Sequence, residues 1–367
     1  MPNVQKLKNI VSYFVPLSEN IEIKPLGAGH INDSFRVTNG NNEYVLQRIN
    51  HSIFKDVPAL QSNILRVTMH IRQKLIERGE TDIDRKVLTL VPTLEGKLYF
   101  EDADGNFWRM TIFIRDSKSY DEINPGLAYR AGIAFGDFQL MLSDLPGDPL
   151  HETIPDFHNM EFRLEEFRQA VNRDRVGRVM EVDDLIKEIE SRAYEMCLPE
   201  RLHREGKLPK RINHSDTKVN NILFDNDGQV LCVVDLDTVM PGYVLSDFGD
   251  FIRTGANTGA EDDKNLDKVG VNLEIFENYA KGYLKNAISF LTDIEIDNLA
   301  FGAKLLTYMQ IVRFLTDYLN GDTYYKIEYG NHNLIRTKAQ FRLLESLEEN
   351  FDRMQQIVLR AAEEYKV

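Results

Sequence analysis

His214-Ser215-Asp216-Thr217-Lys218-Val219-Asn220-Asn221 is followed by an apolar run (Ile222-Leu223-Phe224), a turn (Asn226-Asp227-Gly228) and a second apolar run that ends on Asp235-Leu236-Asp237. Two short apolar runs joined through Asp-Gly predict a β-hairpin. Such a hairpin brings Asn221 and Asp235 to one edge, beside Asp216. Phosphoryl transfer needs a carboxylate at the attacking hydroxyl, oxygen ligands for Mg²⁺ and positive charge on the phosphates. In that scheme Asp216 orients and deprotonates the acceptor, Asn221 and Asp235 are the metal ligands, and Lys218 neutralises the transferred group. Hard oxygen donors suit Mg²⁺, which binds through one or two carboxylates plus substrate phosphates. An H-x-D-x-x-x-x-N match alone arises by chance, and an Asp at a strand end is often structural. The hairpin, both metal ligands and the base together are far less common.

Working outward, residues 20–26, 34–38 and 43–49 read as strands, with Asn39-Gly40 as a hairpin turn between the last two. A long amphipathic helix is expected over 57–80, with Pro58 in its first turn, and three more strands over 86–91, 96–101 and 106–114. Beyond Asp116, helix-length periodicity dominates, at 125–145, 160–173, 182–204, 265–287, 295–319 and 332–364, interrupted by a β-rich stretch at 212–239. The reading is an α+β, bilobal chain. A β-rich N-terminal lobe with one long helix (1–111) is followed by a short hinge (112–116) and a larger, mainly helical lobe (117–367).

The composition, 43% hydrophobic and 28% charged, is that of a globular protein. A net charge of −14 argues against nucleic acid or an anionic membrane surface as a partner. Cys197 and Cys232 lack disulfide or zinc spacing, and Cys232 reads as a buried, inert thiol. No apolar core of a secretory signal and no membrane-length apolar window is found, so a cytoplasmic location is expected.

The catalytic stretch and Asp235-Leu236-Asp237 resemble the protein-kinase-like phosphotransferases, specifically the aminoglycoside phosphotransferase and choline kinase branch. That branch reads H-x-D-x-x-x-x-N, then I-D-x-[DE]. The resemblance implies the bilobal protein-kinase-like fold, ATP as phosphoryl donor and Mg²⁺ as metal. It makes Asp247 the structural Asp that follows the metal motif, despite the chance Asp247-Phe248-Gly249 match to a protein-kinase signature. In the turn Leu26-Gly27-Ala28-Gly29-His30-Ile31-Asn32, Gly27 and Gly29 let the backbone approach nucleotide phosphates, and Asn32 replaces a third glycine. A G-x-G in such a turn is more often just a turn. The strand that carries a phosphate-binding Lys or Arg in relatives departs from the pattern in Tyr44-Val45-Leu46-Gln47-Arg48-Ile49. Gln47 falls on the basic position as a polar phosphate contact, and Arg48 is read as a salt-bridging neighbour. Successive strand residues face opposite sides, so both reach the nucleotide only across a bulge.

Gln310-Ile311-Val312-Arg313-Phe314-Leu315-Thr316-Asp317, Gly321-Asp322-Thr323-Tyr324-Tyr325, His332-Asn333-Leu334-Ile335-Arg336, Thr153-Ile154-Pro155-Asp156-Phe157-His158-Asn159 and His30-Ile31-Asn32 resemble the N-acetylhexosamine 1-kinases over nearly the whole chain. This resemblance implies a small-molecule sugar acceptor, GlcNAc or GalNAc, phosphorylated at the anomeric hydroxyl. It places His30, Arg313 and Tyr324 at the sugar, with Asp216, while Asp237 is a further acidic contact to metal or sugar. The plainer alternatives are an i,i+4 ion pair of Arg313 with Asp317, lobe packing for Tyr324 and strand-end solvation for Asp237. The functional alternatives are a kinase of the same fold acting on an aminoglycoside, choline, homoserine or another sugar, and a non-catalytic nucleotide-binding protein.

Overall fold

The computed structural model describes residues 3–27 and 31–366. In chain order its elements are α1 (Val4–Val11), β1 (Glu22–Pro25), β2 (Asp33–Asn39), β3 (Asn42–Ile49), α2 (Val57–Glu77), α3 (Ile83–Lys86), β4 (Leu90–Val91), β5 (Phe100–Glu101) and β6 (Phe107–Ile112). There follow α4 (Pro125–Leu142), α5 (Met160–Arg173), α6 (Asp183–Met196), α7 (Leu198–Arg204), β7 (Arg211–Asn213), β8 (Ile222–Phe224), β9 (Val230–Val233) and β10 (Met240–Gly242). The chain ends with α8 (Val244–Gly255), α9 (Leu273–Ala287), α10 (Asp293–Asp297), α11 (Leu299–Asn320), α12 (His332–Glu349) and α13 (Phe351–Tyr365). This is the α+β architecture expected, with a β-sheet N-terminal region and a larger helical C-terminal part. None of the described helices is long and apolar enough to cross a membrane.

The chain divides into two compact units. The first takes in Met1–Lys118, Asp144–Pro155 and Leu223–Met240, and the second Ser119–Ser143, Asp156–Ile222 and Pro241–Val367. The first unit is built on an antiparallel sheet of order β1-β2-β3-β6-β4, with β5 also on β6. Asn39 pairs with Asn42 across a two-residue turn in which Gly40 takes φ +63°, the positive value such turns require. The register runs without a bulge from Asp33↔Arg48 to Asn39↔Asn42 and from Tyr44↔Ile112 to Ile49↔Phe107. One face is apolar: Phe35, Leu46, Trp108 and Met110 pack with Leu7, Ile10 and Val11 of α1. That N-terminal helix was not expected from the sequence. The strands expected at 86–91 and 96–101 shrink to β4 and β5, each two residues long, and Lys86 belongs to α3.

In the second unit the glycines decide how closely helices cross. A Cβ on Gly249 of α8 would stand 2.0 Å from the carbonyl oxygen of Gly302 on α11. One on Gly282 of α9 would stand 2.0 Å from that of Tyr129 on α4. Those distances are below any tolerable contact, so backbone packs on backbone at both crossings. The segment expected as one helix over 182–204 breaks at Cys197, because Pro199 can sit in a first turn but not in a helix interior. The segments expected at 295–319 and 332–364 also divide, at Asn298 and Asn350. The helix expected from 265 starts at Leu273, where the Asn272 side chain accepts from the first-turn N–H groups of Glu274 and Ile275.

Candidate active site

The stretch 214–221 in the second unit is held through its main chain. Asp247, fully buried on α8, accepts from the N–H of His214 and of Ser215 (both 2.8 Å) and from Nε2 of Gln139 (2.7 Å). Gln139 is oriented in turn by the Tyr283 hydroxyl, which donates to Oε1. Ser215 takes φ +65°, so two consecutive N–H groups converge on one carboxylate. Thr217 donates through its N–H to Asp250 (3.1 Å) and through its hydroxyl to the Asp247 carbonyl (2.6 Å). Asp250 is fixed by Arg253 (3.0 Å), itself bound to Glu261 (2.7 Å). Burial outweighs these hydrogen bonds and pushes the Asp247 carboxyl up to about 6.

With its backbone so anchored, the loop projects Asp216, whose carboxylate is oriented from both sides. Nζ of Lys218 lies 2.7 Å from Oδ1, and Nδ2 of Asn221 donates to Oδ2 (3.1 Å) and to the Asp216 carbonyl (2.8 Å). Burial works against the Lys218 ammonium, but the Asp216 and Asp250 carboxylates outweigh it and hold its pKa above the ordinary lysine value. Because both Nδ2 bonds turn toward Asp216, the Asn221 Oδ1 is the atom left for a cation. Asn221 directly precedes β8, and Asp235 follows two residues after the end of β9, the strand paired with β8. Asp235 is exposed and takes φ +59°. No group of three His, Cys, Asp or Glu able to hold a metal occurs among the described residues. Each, an amide oxygen and a carboxylate, is a hard donor of the kind Mg²⁺ takes beside water and phosphate.

In the first unit Gly27 has φ +67°. Gly29 and His30 lie outside the described residues. The unbroken register puts Gln47 on the face shared with Ser34 and Arg109, its direct cross-strand partners. Gln47 donates to the Ser34 hydroxyl (2.9 Å) and accepts from Nε of Arg109 (2.9 Å). Arg48 falls on the opposite face, away from Gln47, and is ion-paired to Asp33, the salt-bridging role expected of it, so it does not join Gln47 as a nucleotide contact on that face. Asp237 is also corrected: it is 2% exposed, with one oxygen on Nη1 of Arg109 and the other on Nδ2 of Asn32 (2.6 Å). Its carboxylate is a buried internal partner, not a contact for metal or sugar. Asn32 likewise is engaged, accepting from the Asn50 N–H (2.9 Å) while it donates to Asp237, and its side chain is not presented to a nucleotide.

Arg313 and Tyr324 do meet in the second unit, at a pocket of about 250 Å³ lined also by Arg163, Glu166, Asp317 and Tyr325. The Arg313 guanidinium lies 5.1 Å from the Phe157 ring, 5.8 Å from Tyr325 and 6.0 Å from Tyr324. It forms no ion pair among the described residues. The i,i+4 pairing with Asp317 does not occur, because that carboxylate accepts from the N–H groups of Thr323 (2.9 Å), Tyr324 (2.8 Å) and Tyr325 (3.0 Å) and from Asn333 (2.9 Å). Glu166 is paired with Arg163 (2.7 Å). Burial, then Arg313 and Arg163, push the His158 imidazole down to about 3, so it is neutral. Tyr324 is 59% exposed, which disposes of core packing as its role.

Residues 22–281 match the model of the phosphotransferase enzyme family, described as APH. The chain belongs to that family. Among solved structures, the microcompartment-associated aminopropanol kinase is similar at 14% identity and a TM-score of 0.59, covering 96% of this chain and 99% of the other. Spectinomycin phosphotransferase is similar at 15% identity and a TM-score of 0.54, over 97% and 98%. Plasmodium vivax ethanolamine kinase follows at 12% and 0.56, over 88% and 83%. At such identities the likeness is one of fold, that of kinases acting on small molecules.

Several site residues of this phosphotransferase escaped the sequence reading. Arg109 had a visible signal, a lone cation within Phe107-Trp108-Arg109-Met110, and so had Asp250 and Arg253, three residues apart. Gln139 had none, since its partner Asp247 lies 108 residues away, whereas Arg163 had a local one in Glu166 three residues along the same helix.

Proposed function

We propose that this phosphotransferase transfers the γ-phosphoryl group of ATP to the anomeric C1 hydroxyl of an N-acetylhexosamine, giving a sugar 1-phosphate and ADP. The observation that carries the choice of acceptor class is the environment of Arg313. An ammonium acceptor such as choline, ethanolamine or an aminoglycoside is recognised by aromatic faces and acidic partners. Here the chain's own guanidinium already occupies the aromatic surround of Phe157, Tyr324 and Tyr325, and the pocket's acids, Glu166 and Asp317, are engaged internally. A neutral, oxygen-rich acceptor suits such a site: sugar hydroxyls and an acetamide carbonyl accept from guanidinium, and tyrosine faces pack on a sugar ring. The sequence resemblance around Arg313 and Tyr324 points the same way, and for His30 it is the sole support.

In this reading Asp216, oriented by Lys218 and Asn221, takes the proton of the C1 hydroxyl as its oxygen bonds to the γ-phosphorus. The bond from that phosphorus to the β–γ bridging oxygen breaks, and the oxygen leaves on ADP. Lys218 offsets charge on the group in transfer, and Gly27 lets the backbone come close to the nucleotide. Asn221 and Asp235 would hold Mg²⁺, which offsets charge on the phosphate oxygens. Incubation with Mg-ATP and a panel of sugars and amines tests the proposal. ADP release with GlcNAc or GalNAc and loss of the reducing end are expected. Turnover confined to choline, ethanolamine or aminoglycosides overturns it.

A further inference from the structure

Gln47 stands at the strand position expected to be basic, and a buried cation lies one strand over. Arg109 pairs directly with Gln47 across β3 and β6, is 4% exposed, and joins two things. Its Nε donates to Gln47 (2.9 Å), and its Nη1 is ion-paired with Asp237, two residues beyond Asp235. The same short segment is held at three more points within the first unit. Asn32 donates to the Asp237 carboxylate (2.6 Å), Thr153 donates through its hydroxyl to the Asp237 carbonyl (2.8 Å), and Asn63 of α2 donates to the Val239 carbonyl (3.2 Å). Among these ties Arg109 supplies the cation for the buried Asp237 carboxylate. A planar guanidinium with donors on two edges can bind a strand side chain and a carboxylate at once, which a lysine ammonium on a flexible stem does less well.

We propose that Arg109 is a positioning residue for the metal: through Asp237 it fixes the 235–237 segment to the sheet and so sets where the Asp235 carboxylate stands. This rests on reading Asp235 as a metal ligand. Groups that orient a metal ligand from behind typically change metal affinity by about 10–100-fold when removed. The test is a titration of Mn²⁺ in the presence of ADP, followed by electron paramagnetic resonance, which needs no acceptor and no turnover. Arg109→Met is expected to raise the Mn²⁺ dissociation constant at least tenfold, with Arg109→Lys between it and wild type. Arg109→Met leaves a buried carboxylate unpaired and can unfold the protein, so the double variant Arg109→Met/Asp237→Leu, which removes both charges, carries the decision. Folded by circular dichroism and thermal melting, it is expected still to bind Mn²⁺ at least tenfold more weakly than wild type. If it binds Mn²⁺ as wild type does, the pair is merely structural and the inference falls. Asp235→Asn separates the two readings. Unchanged Mn²⁺ affinity in that variant overturns the metal-ligand reading and the inference together, whereas lost affinity there with wild-type affinity in the double variant overturns the inference alone.

Discussion

Replacing Asp247 by Asn keeps the shape of the group that anchors the 214–221 loop and removes its charge. The carboxylate accepts from Ser215 N–H on one oxygen and from His214 N–H and Gln139 on the other. An amide offers one oxygen, so its better orientation leaves at least the Ser215 N–H facing an NH₂ group, a cost of roughly 1–3 kcal/mol. Against that stands the burial of charge, which raises the folded-state pKa from 3.8 to about 6, or roughly 3 kcal/mol at neutral pH. The two effects nearly offset at pH 7.5, and little net change in stability is expected there. They separate on acidification. Because the folded pKa lies above the unfolded one, the folded wild type binds a proton that the unfolded chain releases between about 4 and 6. The contribution of Asp247 is therefore fully favourable below 4 and is lost as pH rises through 6. From pH 7.5 to 4.5 wild type should gain about 2 kcal/mol relative to Asp247→Asn, groups common to both cancelling in the difference. Denaturant unfolding of the two proteins side by side at each pH measures this. Activity at pH 7.5 should nonetheless fall on the order of 10²-fold, because the loop carrying Asp216 loses its register. A stability difference that is flat with pH, or that favours the variant on acidification, refutes the reasoning.

Asp216→Asn should preserve nucleotide binding, measured by calorimetry with ADP, while kcat falls by several orders of magnitude; full activity would remove Asp216 from the chemistry. Arg313→Met should raise KM for the acceptor about 10-fold or more, leave KM for ATP unchanged and not lower the melting temperature, since no ion pair is broken among the described residues. Gly282→Ala should be destabilising by about 1–3 kcal/mol despite better helix propensity, because the new methyl meets the Tyr129 carbonyl oxygen at 2.0 Å. A thermal melt at or above that of wild type would contradict the close crossing of α4 and α9.

Where periodicity or turn chemistry is strong, the sequence is a good guide to this fold. The Asn39-Gly40 hairpin, the helix at 160–173 and the alternation that separates Gln47 from Arg48 follow from local rules. Helix α8 does not, because it is buried on nearly every side and carries Asp247, Gly249 and Asp250. Its apolar positions (Val244, Leu245, Phe248, Phe251, Ile252) and polar ones (Ser246, Asp247, Asp250, Arg253) do keep helical spacing, but the segment is short, carries two glycines of low propensity, and buries its polar stripe as well. The break at Asn350 is hidden for the opposite reason, since apolar spacing runs on through it. In the site, residues close in sequence were legible: Asp216, Lys218 and Asn221 meet within one loop. Asp237 was misread because the cation that neutralises it, Arg109, lies 128 residues away. Nothing in Val234-Asp235-Leu236-Asp237 separates an exposed carboxylate from a buried one.

With the Arg313 pocket as the acceptor site, as proposed, the way Asp317 gathers the amides of residues 323–325 bears on how acceptor choice can diverge. One carboxylate, set behind Gly321 at the end of α11, holds three consecutive main-chain donors, while Asp322 is tied to Arg178 and Asn333. The shape of the loop is thus written chiefly in its backbone and in Asp317, and the exposed Tyr324 side chain adds ring contacts with Tyr325 and Arg313. Exchanges at Thr323 and Tyr324 can accumulate without loosening the frame, so evolution, or a combinatorial library, can repaint the wall of the pocket while the scaffold beneath it stays put.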